Sequence, residues 1–305
     1  MARRLIFGPI LILLLLAIMW LDHLLTSVVL PKPLLFLASA DGTAQPGLLL
    51  LVLGVVAASR GGYELARLFQ AMHIEASPRS LSIAAAAGML AGALTIGPHA
   101  PAVFQTNAAA VLGSAGIMAV LCAMLAYIRH QEIKGAATAV AATGFAFLYL
   151  GLALSFLMAV RREHSVWAMV AVVFIVKACD SGAYFTGTAI GRHKLIPWIS
   201  PGKTWEGLVG GLITSALAGV GFVALNRAFD SAYAPASLSL LDGALLGLIL
   251  GLVGQAGDLS ASVLKRDAGV KDAGKILPGF GGAIDMLDSL LIAGPVAYWY
   301  LLLRS

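Results

Sequence analysis

Five of the fifteen acidic residues in this chain crowd into one stretch: Asp258, Asp267, Asp272, Asp285 and Asp288. Lys265, Arg266, Lys271 and Lys275 share it. If helix runs on past Gly257, then Asp258, Ser262 and Lys265 fall at i, i+4 and i+7 and form one polar stripe. Asp285 and Asp288, at i and i+3, share a face where the next apolar run begins. Between them GKILPGFGG cannot continue as regular helix, because Pro278 and its glycines break it. A loop there folds the two acidic faces toward each other. Facing carboxylates suit Mg²⁺, which takes one or two of them and completes its shell with substrate phosphates. Lysine and arginine neutralise phosphate charge, and glycine N–H groups approach phosphate oxygens closely. The competing reading is an ordinary cytoplasmic loop with a solvated mixture of charges.

A second cluster strengthens the phosphate reading. Residues 177–207 read KACDSGAYFTGTAIGRHKLIPWISPGKTWEG. Lys177 and Asp180 stand one turn apart inside an apolar run, where ionisable groups are costly and point to function unless they only neutralise each other. Arg192, His193, Lys194, Lys203 and Glu206 follow. Gly202-Lys203-Thr204 does not read as a P-loop, since Pro197 stands where that motif needs glycine and no strand is expected before it. Together the clusters point to an anionic, phosphate-bearing substrate handled with a metal beside the membrane.

The elements that must hold these residues are apolar helices. Of the 305 residues 60% are hydrophobic and 11% charged, against about 25% charged in an average soluble domain. The fold class expected is all-α, a polytopic integral membrane protein with about nine transmembrane helices, at roughly 5–21, 48–70, 81–98, 108–128, 136–160, 166–190, 207–226, 238–257 and 284–303. The N-terminal run lacks a small-x-small cleavage pattern and reads as an uncleaved first span. One membrane domain over 1–305 is expected, with N-terminal spans in 1–165 and catalytic spans and loops in 166–305. Gly243, Gly247 and Gly251 repeat every fourth residue, a face for close helix packing in lipid. Cys122 and Cys179 both lie in apolar runs, which supports neither a disulfide framework nor a zinc knuckle. The formal charge of +5 does not point to nucleic acid, because the basic residues lie in loops between spans.

The side of the membrane follows from lysine and arginine placement. With nine spans, the N-terminal side collects twelve of them (Arg3, Arg4, Arg79, Arg129, Lys134, Arg192, Lys194, Lys203, Lys265, Arg266, Lys271, Lys275). The other side collects five: Lys32, Arg161, Arg162, Arg227 and Arg304. The positive-inside rule then puts the N-terminus and both charged clusters in the cytoplasm, in an inner-membrane protein.

The residues carry a resemblance. Asp258-Leu259, Ser262, Lys265-Arg266, Lys271-Asp272, Pro278-Gly279, Gly281-Gly282, Asp285 and Asp288 resemble the C-terminal signature of phosphatidate cytidylyltransferases, also called CDP-diacylglycerol synthases. Asp180, Ala183-Tyr184, Gly187, Gly191, Ser200-Pro201, Lys203-Thr204 and Glu206-Gly207 are similar to that family's second block. The likeness covers roughly the last 130 residues closely. Two positions depart from it: Phe280 stands where the family usually has His, and Met286 where it has Arg. The resemblance implies transfer of a cytidylyl group from CTP to phosphatidate, giving CDP-diacylglycerol and pyrophosphate, in a homodimer among membrane lipids. It implies catalytic roles for Asp258, Lys265, Arg266, Asp285 and Asp288. Mg²⁺ falls to Asp258 and Asp285, with Asp288 as third ligand or support. Asp180, Tyr184, Ser200, Lys203, Thr204, Glu206, Ser262, Lys271, Asp272, Gly281 and Gly282 are the substrate-binding set. A CTP-dependent lipid-alcohol kinase is the nearest alternative, and a multi-pass transporter of an anionic solute the more distant one.

Overall fold

In lipid every backbone polar group must find an internal partner, and a helix does this within one segment. The computed structural model describes residues 2–28, 44–96, 102–128, 134–228, 238–276 and 281–304. The expected break at Pro278-Gly279, the departure at Phe280, and Lys32 and Arg129 lie outside the described residues. Among the described residues eleven helices are present: α1 (Ala2–Leu25), α2 (Leu48–Ala71), α3 (Pro78–Thr95), α4 (Ala102–Thr106), α5 (Ala108–Ile128), α6 (Ala136–Ala146), α7 (Ala153–Glu163), α8 (Val166–Ile190), α9 (Trp205–Ala228), α10 (Leu240–Asp267) and α11 (Ala283–Arg304). A π-helical segment, Phe147–Leu152, joins α6 to α7. Each expected apolar segment falls on a helix. Among the described residues seven helical stretches are long and apolar enough to cross a bilayer, the joined Ala136–Glu163 counting as one. The described apolar part of α1, Leu13–Leu25, is shorter, and α3 is not among the seven. The chain is therefore an all-helical polytopic protein. One element departs from the all-α expectation: β1 (Lys194–Ile196) and β2 (Ser200–Thr204) pair antiparallel between α8 and α9. Pro197 turns this hairpin, and Pro201 would have interrupted a helix there.

The chain divides into two compact units, residues 1–166 with 272–284 and residues 167–271 with 285–305. In the first, Gly88 of α3 and Gly151 of the π-helical segment let two backbones touch, for a Cβ on either would meet the other helix's main chain. Asp22, 1% exposed, accepts hydrogen bonds from the Gly47 and Leu49 amides (both 3.1 Å) and from Arg161 Nε (2.9 Å), tying α1 to α2 and α7. Arg162 donates to the Pro46 and Ala93 carbonyls, the latter near the C-terminal end of α3. Glu64, an acidic residue in the second span, is buried and accepts the Ile284 amide at 3.1 Å. Its carboxylate thus satisfies an orphan donor at the start of α11.

In the second unit glycines again set the spacing. Gly243 and Gly247 of α10 face Gly219, Ser215 and Ala216 of α9 so closely that a methyl group on either would collide with backbone. This is the packing expected of the four-residue glycine stripe. Ser239 and Asp242 form a capping box that starts α10. Thr204 caps α9, its hydroxyl oxygen accepting the Gly207 amide at 3.1 Å. At 28 residues α10 is about 42 Å long, more than the roughly 30 Å of bilayer hydrocarbon, so its polar end can reach the interface.

Candidate active site

Four elements of the second unit bring ionisable side chains together: α8, β2, α10 and α11. Gly257 lies so close to the Asp288 carbonyl that a Cβ there would stand 2.5 Å from it, and this close crossing draws α10 and α11 together. Asp258 follows Gly257 directly, and its carboxyl group lies within hydrogen-bonding reach of that of Asp288. Lys203, reaching in from β2, contacts Asp258 at 2.7 Å. Lys265, two turns beyond Asp258 on α10, contacts Asp285 at 2.8 Å and stands 3.9 Å from Asp288. Lys265, Asp285 and Asp288 side chains are all below 10% exposed, so the charges face one another rather than bulk water.

The second cluster joins the first through two side chains that sequence reasoning passed over. Gln255 donates to Asp180 at 2.9 Å and accepts from Lys203 at 2.8 Å. Lys177 contacts Asp180 at 3.2 Å and donates to Ser289 at 2.7 Å, and the Ser289 amide donates to the Asp288 carboxylate at 2.6 Å. The result is a connected string of Asp180, Asp258, Asp285 and Asp288 with Lys177, Lys203 and Lys265. With all seven ionised it carries one formal negative charge. A signal for Gln255 did exist, since it precedes Asp258 by three residues and so shares its helix face within an apolar run. Ser289 gave none, because a serine in an apolar run is common.

Of the residues named from the sequence, Asp180, Lys203, Asp258, Lys265, Asp285 and Asp288 are brought together. The Asp258 and Asp288 carboxyl groups interact, and Asp285 contacts Lys265 at 2.8 Å. Several others serve the hairpin. Glu206 accepts from the Arg192 and His193 amides at 3.1 and 3.2 Å and contacts the His193 ring at 2.6 Å. Thr204 is spent on capping α9. Arg266 donates to the Ile199 carbonyl at 3.1 Å, pinning the hairpin turn to the end of α10. Ser200 and Ser262 are half-buried on β2 and α10, Tyr184 is exposed on α8, and Met286 is half-buried on α11. Lys271 is exposed just beyond α10. Asp272, Gly281 and Gly282 belong to the first unit, where Gly282 packs against the Glu64 carboxylate.

Adjacent carboxylates flanked by ammonium groups can share a divalent cation with a polyphosphate, the phosphate oxygens completing its shell. Among the described residues no group of three or more acidic, histidine or cysteine side chains is placed to hold a metal without such help. The Asp258–Asp288 pair fits Mg²⁺ on those terms, since this cation needs only one or two carboxylates when phosphates supply the rest.

A sequence model of the Cytidylyltransferase family matches residues 24–304. Among curated proteins, the phosphatidate cytidylyltransferase of Haemophilus influenzae is 38% identical over 138 residues, covering 45% of this chain and 46% of that protein. That of Bacillus subtilis is 35% identical over 162 residues, 52% of this chain and 57% of its own length. That of Staphylococcus aureus is 42% identical over 151 residues, 48% and 54% respectively. The chain thus matches about half the length of these relatives.

Proposed function

This chain belongs to the cytidylyltransferase family, and from that premise we propose that it transfers a cytidylyl group from CTP to phosphatidate, releasing pyrophosphate and forming CDP-diacylglycerol. The observation that carries the reading is the charged string on α8, β2, α10 and α11, in a family whose aligned relatives are named for this reaction. A phosphate oxygen of the lipid attacks the α-phosphorus of CTP in line. The bond from that phosphorus to the bridging oxygen breaks, and pyrophosphate departs with the electron pair. The attacking oxygen already bears negative charge, so no protein nucleophile is required. The protein's work is positioning and charge neutralisation. Lys203 and Lys265 offer ammonium groups to the triphosphate and the lipid phosphate, each oriented beforehand by a carboxylate. Asp285 holds Lys265 in place, and Asp180 does the same for Lys177. Asp258 and Asp288 are the pair we assign to Mg²⁺, which when bound supplies neutralisation of the triphosphate charge.

The finer architecture belongs to the same proposal. We read nine spans, with α1 and α3 completing the seven, in an inner-membrane homodimer. The N-terminus and the charged string face the cytoplasm, a placement supported by the twelve-to-five division of lysine and arginine. The test of the reaction is direct. Purified protein given phosphatidate, CTP and Mg²⁺ should release pyrophosphate and yield a CDP-lipid. Formation of CDP together with a phosphorylated isoprenoid alcohol would instead make the protein a CTP-dependent lipid-alcohol kinase.

A further inference from the structure

Gln255 is 6% exposed in the middle of α10, among apolar and glycine neighbours, and both ends of its amide meet a charged group. The oxygen accepts from Lys203 Nζ at 2.8 Å, and the nitrogen donates to Asp180 Oδ1 at 2.9 Å. An amide has one accepting and one donating end, an ammonium only donates, and a carboxylate only accepts. One orientation of Gln255 therefore satisfies both partners, and the reverse satisfies neither. The side chain links three elements, α8, β2 and α10, at the point where the two charged clusters meet.

From this geometry we infer that Gln255 is a positioning residue that acts through Lys203. A lysine reaches out on a flexible four-carbon stem, and holding it in one direction costs rotamer freedom. A single acceptor fixes the distance of the ammonium group but leaves its direction loose. Lys203 has two acceptors, Asp258 Oδ2 at 2.7 Å and Gln255 Oε1 at 2.8 Å. Two of its three N–H groups are thereby committed to protein acceptors, which leaves the third to be aimed at a ligand. A neutral amide suits this role better than a carboxylate, which would compete with Asp258 for the lysine and repel Asp180. What the third N–H is aimed at, a nucleotide phosphate, rests on the cytidylyltransferase reading; the hold on Lys203 does not.

Gln255→Met keeps length and volume while removing both polar ends. Its kcat/KM for CTP should fall roughly 10- to 100-fold, the loss expected when hydrogen bonds to charged groups are removed. In a Lys203→Ala background the same change should cost less than about threefold, because residues acting as a unit are not additive. A purely structural role predicts the same fractional loss in both backgrounds, and that result would overturn the inference. A second arm needs no substrate. Protein in detergent is treated with an amine-acylating ester, and Lys203 labelling is compared with that of exposed Lys194 by peptide mass analysis. Lys203 should react several-fold faster in Gln255→Met than in the unaltered protein, and an unchanged ratio refutes the hold. If the unaltered protein makes no CDP-lipid, the proposed reaction fails by itself, and the labelling arm alone decides the role of Gln255.

Discussion

A Cβ placed on Gly257 would stand 2.5 Å from the Asp288 carbonyl oxygen and 3.2 Å from Ser289 Cα. Ordinary van der Waals contact begins near 3.4 Å, so in Gly257→Ala the α10 and α11 backbones must separate by about 0.9 Å at this point. The obstacle is main chain, which no rotamer change can move aside. Asp258 is the next residue on one helix and Asp288 supplies the contact on the other, so the separation falls directly on the carboxylate pair. A misplacement of about 1 Å in a catalytic constellation can cost on the order of a hundredfold in rate. Overpacking of this kind typically costs about 1–3 kcal/mol in stability, against a gain of up to about 1 kcal/mol from replacing a helical glycine with alanine. Gly257→Ala should therefore fold, melt somewhat lower, and lose most of its pyrophosphate release from CTP and phosphatidate. Gly221→Ala is the internal control, because nothing lies within 4 Å of a Cβ there. It should keep full activity and melt at the same temperature or higher. Wild-type turnover in Gly257→Ala would show that the α10–α11 spacing does not govern the chemistry.

The carboxylates can be ranked by substitution. Asp258→Asn and Asp288→Asn should each lower Mg²⁺-dependent turnover by roughly a hundred- to a thousandfold with the fold intact, while Asp267→Asn, at an exposed position, should remain close to the parent. Near-normal turnover in either of the first two removes that residue from the proposed cation site. For orientation, single cysteines introduced as Lys194→Cys and Lys271→Cys, in a background lacking Cys122 and Cys179, should react with an impermeant maleimide only from the cytoplasmic side. Labelling of either in intact cells from outside would reverse the assignment.

Membrane class and helix positions were legible in the residues alone because a bilayer imposes a one-dimensional rule. A run of about twenty apolar residues must be helical, whatever it later packs against. The glycine stripe at Gly243, Gly247 and Gly251 was readable for a related reason, since a periodic small-residue face serves close packing and little else. The charged residues were readable as a group because ionisable side chains near apolar spans are costly and so stand out. Which of them meet was not readable. Spacing placed Asp285 and Asp288 on one face but could not tell which would abut Asp258, because that depends on how α11 is rotated against Gly257. The hairpin at 194–204 escaped notice since its strands are only three and five residues long and carry no clear alternation. The roles of Gln255, Ser289 and Glu64 were not readable for the deepest reason. A neutral amide, a serine and a buried carboxylate acquire these roles from partners distant in the chain: Asp180 and Lys203 for the first, Lys177 for the second, and for the third the Ile284 amide, beside its ion pair with Arg60 one turn away. Sequence determined which segments form apolar helices and which residues carry charge; the tertiary structure decided which charge faces which, because ion pairing is set by distances of a few ångströms between elements that the chain connects only through long detours.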